Sequence, residues 1–423
     1  MFAFACGSSS VHLVNRIGHP LRWVALVLLL VLAAGWALQR WEGALLPRSV
    51  LVATCALVSV ALVSALWSVA PRVSAEKAVS LGLLLAVCLL LAQACAGRPV
   101  DAARVLLGVL GGAVAVALAG LLVLATAHGF AVQAATIETP ARYQGLGQNP
   151  DTAALLFAVT LPVAVWLAVG RHRAVGIAIT LLLFGSIVAS GSRGALFAGA
   201  IGAVVPAVAW GGRSRRTVLA GAAIAAAVAV GAFLMTIPQN ASSPTAVAAP
   251  AKPAPKATRY VNVEAAYPLD ADIGRPLPGN GEPATPRSFF GASGRSVAWT
   301  GAILQAADRP LVGYGFGTEG RVFVDRYYGF VGGLAENSYI GLALQLGIVG
   351  VTLLLGLVAT LVVAGWPALA GARRSLTAAC LGVLAAGLAI AVIQSYVYSV
   401  GDIATGALWI SAFLLPAIGA RSA

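Results

Sequence analysis

The stretch LAENSYIGLALQLGIVG, residues 334–350, decides the fold class, because the polar cluster ENSY opens a long apolar run. The run continues to about residue 366, and about 20 mainly apolar residues are enough for a helix to cross a bilayer. The pattern therefore predicts a transmembrane helix. An ionised carboxylate beside such a helix is costly and is usually retained for a function. Glu336 is accordingly the first candidate functional residue.

Similar apolar runs occupy most of the chain. Of its 423 residues, 60% are hydrophobic and only 10% are charged, and the mean hydropathy is +0.91. This composition excludes an ordinary soluble protein. The runs lie near 21–39, 49–69, 76–97, 102–127, 151–170, 174–191, 194–211, 217–237, 338–366, 375–400 and 403–419. They lack the alternation of β-barrel strands, so we predict an all-α, polytopic membrane helix bundle of 11–12 transmembrane helices. The side of the N-terminus is left open.

The positive charge is distributed through short loops. The net charge is +13, but no single basic face is formed, so no nucleic-acid partner is expected. Arginines cluster in every second loop, at 171–173, 213–216 and 373–374. The positive-inside rule places these loops and the C-terminus in the cytoplasm. The alternate connections then face the extracytoplasmic side, namely 128–150, 238–336 and the turns at Arg193 and Asp402.

The chain divides into three regions. An N-terminal membrane bundle of about eight spans occupies 1–237, a large extracytoplasmic loop occupies 238–336, and about three C-terminal spans occupy 337–423. Ten of the 21 prolines lie between Pro238 and Pro286, which predicts a flexible first part of the loop.

The later part of the loop contains a helical pattern. Apolar residues recur at helical spacing, with Arg295 and Gln305 off the stripe. The residues of the stripe are Trp299, Ala302, Ile303 and Ala306. We predict a short amphipathic helix that lies on the membrane surface or the helix bundle and is ended by Asp308-Arg309-Pro310.

The polar residues of the extracytoplasmic side suit sugar transfer, which needs cations for a diphosphate and a base for an acceptor hydroxyl. Arg193 lies in a short turn between two spans, where it can bind a phosphate or snorkel to lipid headgroups. Arg295 is a second candidate cation, or a residue that faces solvent. Glu336 can accept a proton from a sugar hydroxyl, whereas Asn337 or Ser338 is the better N-cap. The candidate substrate-binding residues are Arg142, Asn149, Arg287, Arg321, Arg326, Asn337 and Tyr339.

Five signatures in order resemble the O-antigen ligase and Wzy-type polysaccharide polymerase superfamily of bacterial membranes. They are WSVAPRVSAEKAV (67–79), RYQGLGQNPDTAALL (142–156), SGSRGALF (190–197), GRSVAWTGAILQAADRPLVGYGFG (294–317) and ENSYIGLALQLGIVG (336–350). The resemblance implies a GT-C-like glycosyltransferase of the bacterial cytoplasmic (inner) membrane. Such an enzyme takes a glycan from an undecaprenyl-diphosphate carrier at the extracytoplasmic face, with inversion and without a metal or other cofactor. By the same resemblance, Arg193 and Arg295 bind the diphosphate, and Glu336 orients or deprotonates the acceptor hydroxyl.

One residue of this chain differs from the pattern of the ligases in the superfamily. Ligases that attach O-antigen to lipid A-core resemble this pattern with a histidine where Glu336 stands, and all four histidines here precede the large loop. We therefore expect a polymerase of O-antigen, capsule or exopolysaccharide repeat units, with a glycan or lipid-linked glycan as acceptor. Membrane lipids, a chain-length regulator and a flippase are further candidate partners. The alternatives are a ligase acting on lipid A-core or another acceptor, and a polysaccharide transporter or flippase.

Overall fold

The computed structural model describes residue 5 and residues 12–40, 45–134, 141–170, 172–211, 295–323 and 334–420. The long helices are α1 (His12–Gln39), α2 (Arg48–Val63), α3 (Pro71–Cys95), α4 (Pro99–Thr126), α6 (Pro150–Val169), α7 (Arg173–Ser190), α8 (Arg193–Gly211), α9 (Arg295–Ala307), α11 (Ser338–Gly365), α12 (Arg374–Ala391) and α13 (Ile403–Gly419). Helices α5 (His128–Ala131) and α10 (Glu319–Val322) are single turns. Strands β1 (Val132–Gln133) and β2 (Arg142–Tyr143) form a short antiparallel pair. The predicted all-α membrane class is confirmed.

Most of the predicted spans have a helix at their position. Eight helices of the described residues are long and apolar enough to cross a membrane, namely α1 to α4, α6, α7, α11 and α12. The shorter apolar helices α8 and α13 occupy two further predicted spans. These eight and two together account for ten of the eleven predicted runs. The predicted span at 217–237 lies outside the described residues.

Spans joined by a short connection run in opposite directions, so these connections alternate between two ends of the bundle. We call one end the loop face, and its described segments are 64–70, 127–134, 141–149, 191–192, 308–323, 334–337 and 392–402. These segments contact one another, as where the Trp67 indole N–H donates to the Val312 carbonyl at 3.2 Å. At the opposite end, Arg373 donates to the Ile418 carbonyl at 2.8 Å.

The first and last spans begin at the same end of the bundle. Arg22, in the first half of α1, lines a cleft with Tyr398 and Gly401 of the loop face. Helix α13 also starts at the loop face, directly after Asp402, and ends at the opposite end. The two helices therefore cross the bundle in the same direction.

Helix α13 is the centre of the bundle. Residues 403–418 are buried apart from Gly406, which is half-buried. The helix is mainly apolar around its whole circumference, which is typical of a helix enclosed by protein or lipid. It packs against α3, α6, α11 and α12. Close packing elsewhere uses small residues: at the crossing of α8 and α12, an added Cβ on Gly202 would lie 2.5 Å from the Gly382 carbonyl oxygen.

Helix α11 is broken at Gly347, and the loop after α9 fills the break. Gly347 has φ 61° and ψ −160°, so the helical hydrogen-bond ladder is interrupted there. The carbonyl oxygens of Leu344 and Gln345 instead accept N–H groups of segment 310–315 at 2.9 Å each. The Ile348 N–H donates to a carbonyl of the same segment at 2.8 Å. Irregular backbone inside a membrane bundle is tolerated where protein satisfies its polar groups in this way.

Replacing Gly347 with alanine is expected to destabilise the protein. A positive φ is unfavourable for alanine, and an added Cβ would lie 2.3 Å from the Leu311 backbone. The backbone conformation alone should cost about 1–3 kcal/mol, measured as a lower melting temperature of the purified protein in detergent. Gly356→Ala is the matched control, because Gly356 lies in the same helix and its added Cβ meets no atom within 4 Å. Equal melting temperatures for the two variants would contradict this account of the break.

The predicted amphipathic helix is present as α9 and ends directly before Asp308-Arg309-Pro310. Of the predicted stripe, Ala302 is buried and Ile303 is 55% exposed, and Gln305, predicted off the stripe, is buried as well. The Gln305 side-chain amide donates to the Val322 carbonyl at the end of α10. This hydrogen bond turns the polar side of α9 toward protein.

Candidate active site

The loop face carries every predicted site residue whose side chain is described. These seven residues are Arg142, Asn149, Arg193, Arg321, Glu336, Asn337 and Tyr339. Arg295 begins α9, but its side chain lies outside the described part of the chain. Arg287 and Arg326 also lie outside the described residues.

Arg193 is the first residue of α8 and follows a tight turn. Helix α7 ends at Ser190, and Gly191 reverses the chain in a left-handed conformation with φ 66°. The Arg193 side chain is half-buried. The amino terminus of a helix carries partial positive charge and amide groups without helical partners, which suit an anion better than a second cation. A phosphate bound by Arg193 would therefore interact favourably with this helix end as well.

Arg142 holds the turn that precedes Arg193. Its Nε donates to the Ser190 carbonyl at 2.7 Å, and its Nη2 forms a 2.7 Å ion pair with Asp151. Only 12% of its side chain is exposed. Arg142 thus ties β2 and the start of α6 to the end of α7. Direct substrate binding by Arg142 stays a prediction.

Asn149 and Asn337 are helix N-caps. The Asn149 side chain accepts the Asp151 N–H at 2.9 Å at the start of α6. The Asn337 side chain accepts two N–H groups of the first turn of α11, at 2.9 and 3.1 Å. The capping alternative for Asn337 is therefore confirmed. The Tyr339 hydroxyl donates to the Leu388 carbonyl at 3.1 Å, so this group also has a structural partner.

Glu336 is left outside α11 because Asn337 caps the helix. Among the described residues, it is the one residue other than glycine that has a positive φ, at 49°. This conformation costs about 1–3 kcal/mol and persists only where the surrounding structure imposes it. The Glu336 side chain is half-buried. A carboxylate held in a strained backbone at the mouth of a span supports a functional role.

A second carboxylate, Glu319, interacts with Glu336 and is almost completely buried, with 3% of the residue exposed. It accepts hydrogen bonds from the Ser395 hydroxyl at 2.7 Å, the Ala335 N–H at 3.0 Å and the Tyr398 hydroxyl. No lysine or arginine of the described residues forms an ion pair with it. Burial raises the pKa of Glu319, the three hydrogen bonds oppose this shift, and the charge of Glu336 adds to it.

The turn between α12 and α13, residues 392–402, connects the start of α8 with the start of α11. An added Cβ on Gly194 would lie 1.8 Å from Ile393 Cδ1, so the start of α8 packs directly on this turn. The Ser338 hydroxyl donates to the Gln394 carbonyl at 2.7 Å, so the start of α11 packs there as well. The structure therefore brings the Arg193 and Glu336 regions to the same turn.

The prediction from sequence omitted three residues of this arrangement, Glu319, Ser395 and Tyr398. Of the three, Glu319 could have been predicted from the sequence, because it is one of only 14 acidic residues in the chain and follows the GYGFG turn. The hydroxyl groups had no local signal, since their role depends on a partner 76 or 79 positions away. Within the described residues, no group of three or more histidine, cysteine, aspartate or glutamate side chains could hold a metal ion.

Comparison with known proteins identifies one segment. Residues 177–355 match the family model described as O-antigen ligase. The match runs from within α7 to the middle of α11 and includes Arg193, Glu319 and Glu336. No curated protein matches the chain.

Proposed function

Because residues 177–355 place this protein in the O-antigen ligase and Wzy superfamily, a family of glycosyl-transfer type, we propose that it polymerises undecaprenyl-diphosphate-linked oligosaccharide repeat units. The product is an O-antigen, capsule or exopolysaccharide. We assign the loop face to the extracytoplasmic side of the bacterial cytoplasmic membrane, since Arg173, Arg373 and Arg374 lie at the other end.

The proposed reaction uses no cofactor, and its donor carries a diphosphate leaving group. The acceptor hydroxyl oxygen attacks the anomeric carbon from the face opposite the diphosphate, and the bond to the diphosphate oxygen breaks with inversion. Arg193 binds the diphosphate and stabilises the charge that develops on the departing oxygen. Arg295, at the start of α9, is the second proposed cation. Glu336 accepts the proton of the attacking hydroxyl.

The glutamate at position 336 is the observation that favours polymerase activity over ligase activity. Lipid A-core ligases resemble the same signature with a histidine there, and the four histidines of this chain lie at or before residue 172. The left-handed backbone at Glu336 adds to the case that this position has a function beyond capping.

The second candidate is a ligase that transfers the glycan to lipid A-core or to another acceptor, because the matching family model is described as O-antigen ligase. A transporter is favoured less. The candidate residues that the structure describes lie at one end of the bundle, whereas secondary transporters place their substrate site near the midplane.

The test is to delete the gene, complement it with the wild-type gene, and separate the carrier-linked and lipopolysaccharide fractions on gels. A polymerase predicts that the deletion strain holds single repeat units, on the carrier or on lipid A-core, and that complementation restores the ladder. Full-length polymer that accumulates on the carrier and never reaches its acceptor would instead identify a ligase. Repeat units retained on the cytoplasmic side would indicate a flippase.

A further inference from the structure

We propose that Glu319 is the positioning residue for Glu336. Its buried carboxylate holds the backbone on both sides of Glu336 and so sets where the Glu336 side chain lies at the loop face. The inference rests on the proposed role of Glu336 in glycosyl transfer. It adds a residue of the family-matched segment that the sequence signatures do not point to.

Two hydrogen-bonded arms connect Glu319 to the neighbours of Glu336. The first is direct, from the Ala335 N–H to Glu319 Oε1 at 3.0 Å. The second passes through Ser395, whose hydroxyl donates to the same oxygen at 2.7 Å and accepts the Asn337 N–H at 3.0 Å. The residue before Glu336 and the residue after it are thus tied to one carboxylate oxygen. This arrangement accounts for the persistence of an unfavourable φ between them.

The other carboxylate oxygen anchors Glu319 to parts of the bundle that do not involve Glu336. Oε2 accepts the Tyr398 hydroxyl and, at 3.3 Å, the Gln345 side-chain amide. Gly341, in the first turns of α11, leaves the space for this contact, because an added Cβ would lie 2.6 Å from Oε2. Glu319 is therefore fixed to α11 and to the 392–402 turn, and it can impose a position on the segment it holds.

A carboxyl group is the side chain that this arrangement requires. Four donors converge on its two oxygens, and a carboxylate accepts at both. Glutamine would replace one oxygen by an NH2 group, which cannot accept these donors. Glu319→Gln should therefore loosen the segment around Glu336 while conserving side-chain volume.

The first experiment measures kcat and KM of the purified full-length protein with the carrier-linked repeat unit isolated from the deletion strain. Glu319→Gln is expected to lower kcat by about 10- to 100-fold, the loss caused by misplacing a reacting group, with KM changed by less than about two-fold. In a Glu336→Gln background, Glu319→Gln should cause no further loss of kcat, because the effects of substitutions at two residues that act as one unit are not additive. Glu76→Gln is the control, since Glu76 is an exposed carboxylate on α3 at the loop face.

The second experiment keeps the inference testable if Glu319→Gln does not fold. Ser395→Ala removes only the arm to Asn337 and should lower kcat, whereas Ser395→Thr retains the hydroxyl and should restore it. Either of two results would overturn the positioning role: unchanged kcat in these variants, or an equal fold-loss in the wild-type and Glu336→Gln backgrounds. If Glu336→Gln itself transfers glycan normally, the proposed role of Glu336 fails. An inactive Glu336→Gln beside a fully active Glu319→Gln rejects the positioning role alone.

Discussion

Arg193→Ala is expected to lower glycan transfer by about 100-fold or more, the loss typical of removing one group that stabilises charge in a transition state. The diphosphate would lose a guanidinium that can donate two parallel hydrogen bonds and that never deprotonates. The measurement is transfer of radiolabelled repeat units by the purified protein, together with glycan ladders from the complemented deletion strain. Arg193→Lys keeps the charge but not the planar geometry, so its loss should be smaller.

Arg173→Ala is the matched control for this prediction. Arg173 and Arg193 are each the first residue of a membrane helix, α7 and α8, but they lie at opposite ends of the bundle. The control variant should retain transfer. Near-normal transfer by Arg193→Ala would remove Arg193 from diphosphate binding. An equal loss in both variants would attribute the effect to folding or membrane insertion.

Glu336→Gln is expected to lower transfer by about 10²- to 10⁴-fold, because the amide cannot accept the proton of the attacking hydroxyl. The effect should appear in kcat, since the carboxylate acts on the reacting group. Full polymer synthesis by the Glu336→Gln variant would exclude Glu336 as the base. Glu76→Gln again serves as the control, because its exposed ion pair with Arg72 contributes little to stability.

Glu336→Gly separates the function of this residue from its structural effect. Glycine adopts a φ of 49° without strain. The free energy of unfolding of the variant should therefore equal that of the wild type or exceed it by up to about 1–3 kcal/mol. It should nevertheless lose transfer, because the carboxylate is absent. The melting temperature in detergent and the transfer rate are measured on the same preparation. A large drop in melting temperature would indicate that the Glu336 side chain is needed for folding.

The parts of the fold that depend on short stretches of sequence were predictable. A run of apolar residues needs no distant partner to become a membrane helix, because hydrocarbon already disfavours unpaired backbone polar groups. The end of α9 before Asp308 and the Asn337 cap of α11 are also local, since their hydrogen bonds lie within a few residues. The burial of Gln305 was not predictable, because the Val322 carbonyl that binds its side chain belongs to a separate element of the loop.

The candidate site, too, has features that short stretches of sequence predict and features that depend on distant partners. The sequence by itself determined that this is a polytopic helical membrane protein with cations and one unusual carboxylate at the ends of its spans, because charge beside an apolar run is visible in any short window. Only the tertiary structure decided which of these groups meet. It pairs Arg142 with Asp151 and brings the starts of α8 and α11 to one turn. It also joins Glu319 by a hydrogen bond to the residue that precedes Glu336. The physical reason is that a buried carboxylate must find hydrogen-bond donors wherever the packed helices supply them, and the donors from Ser395 and Tyr398 lie 76 and 79 positions away.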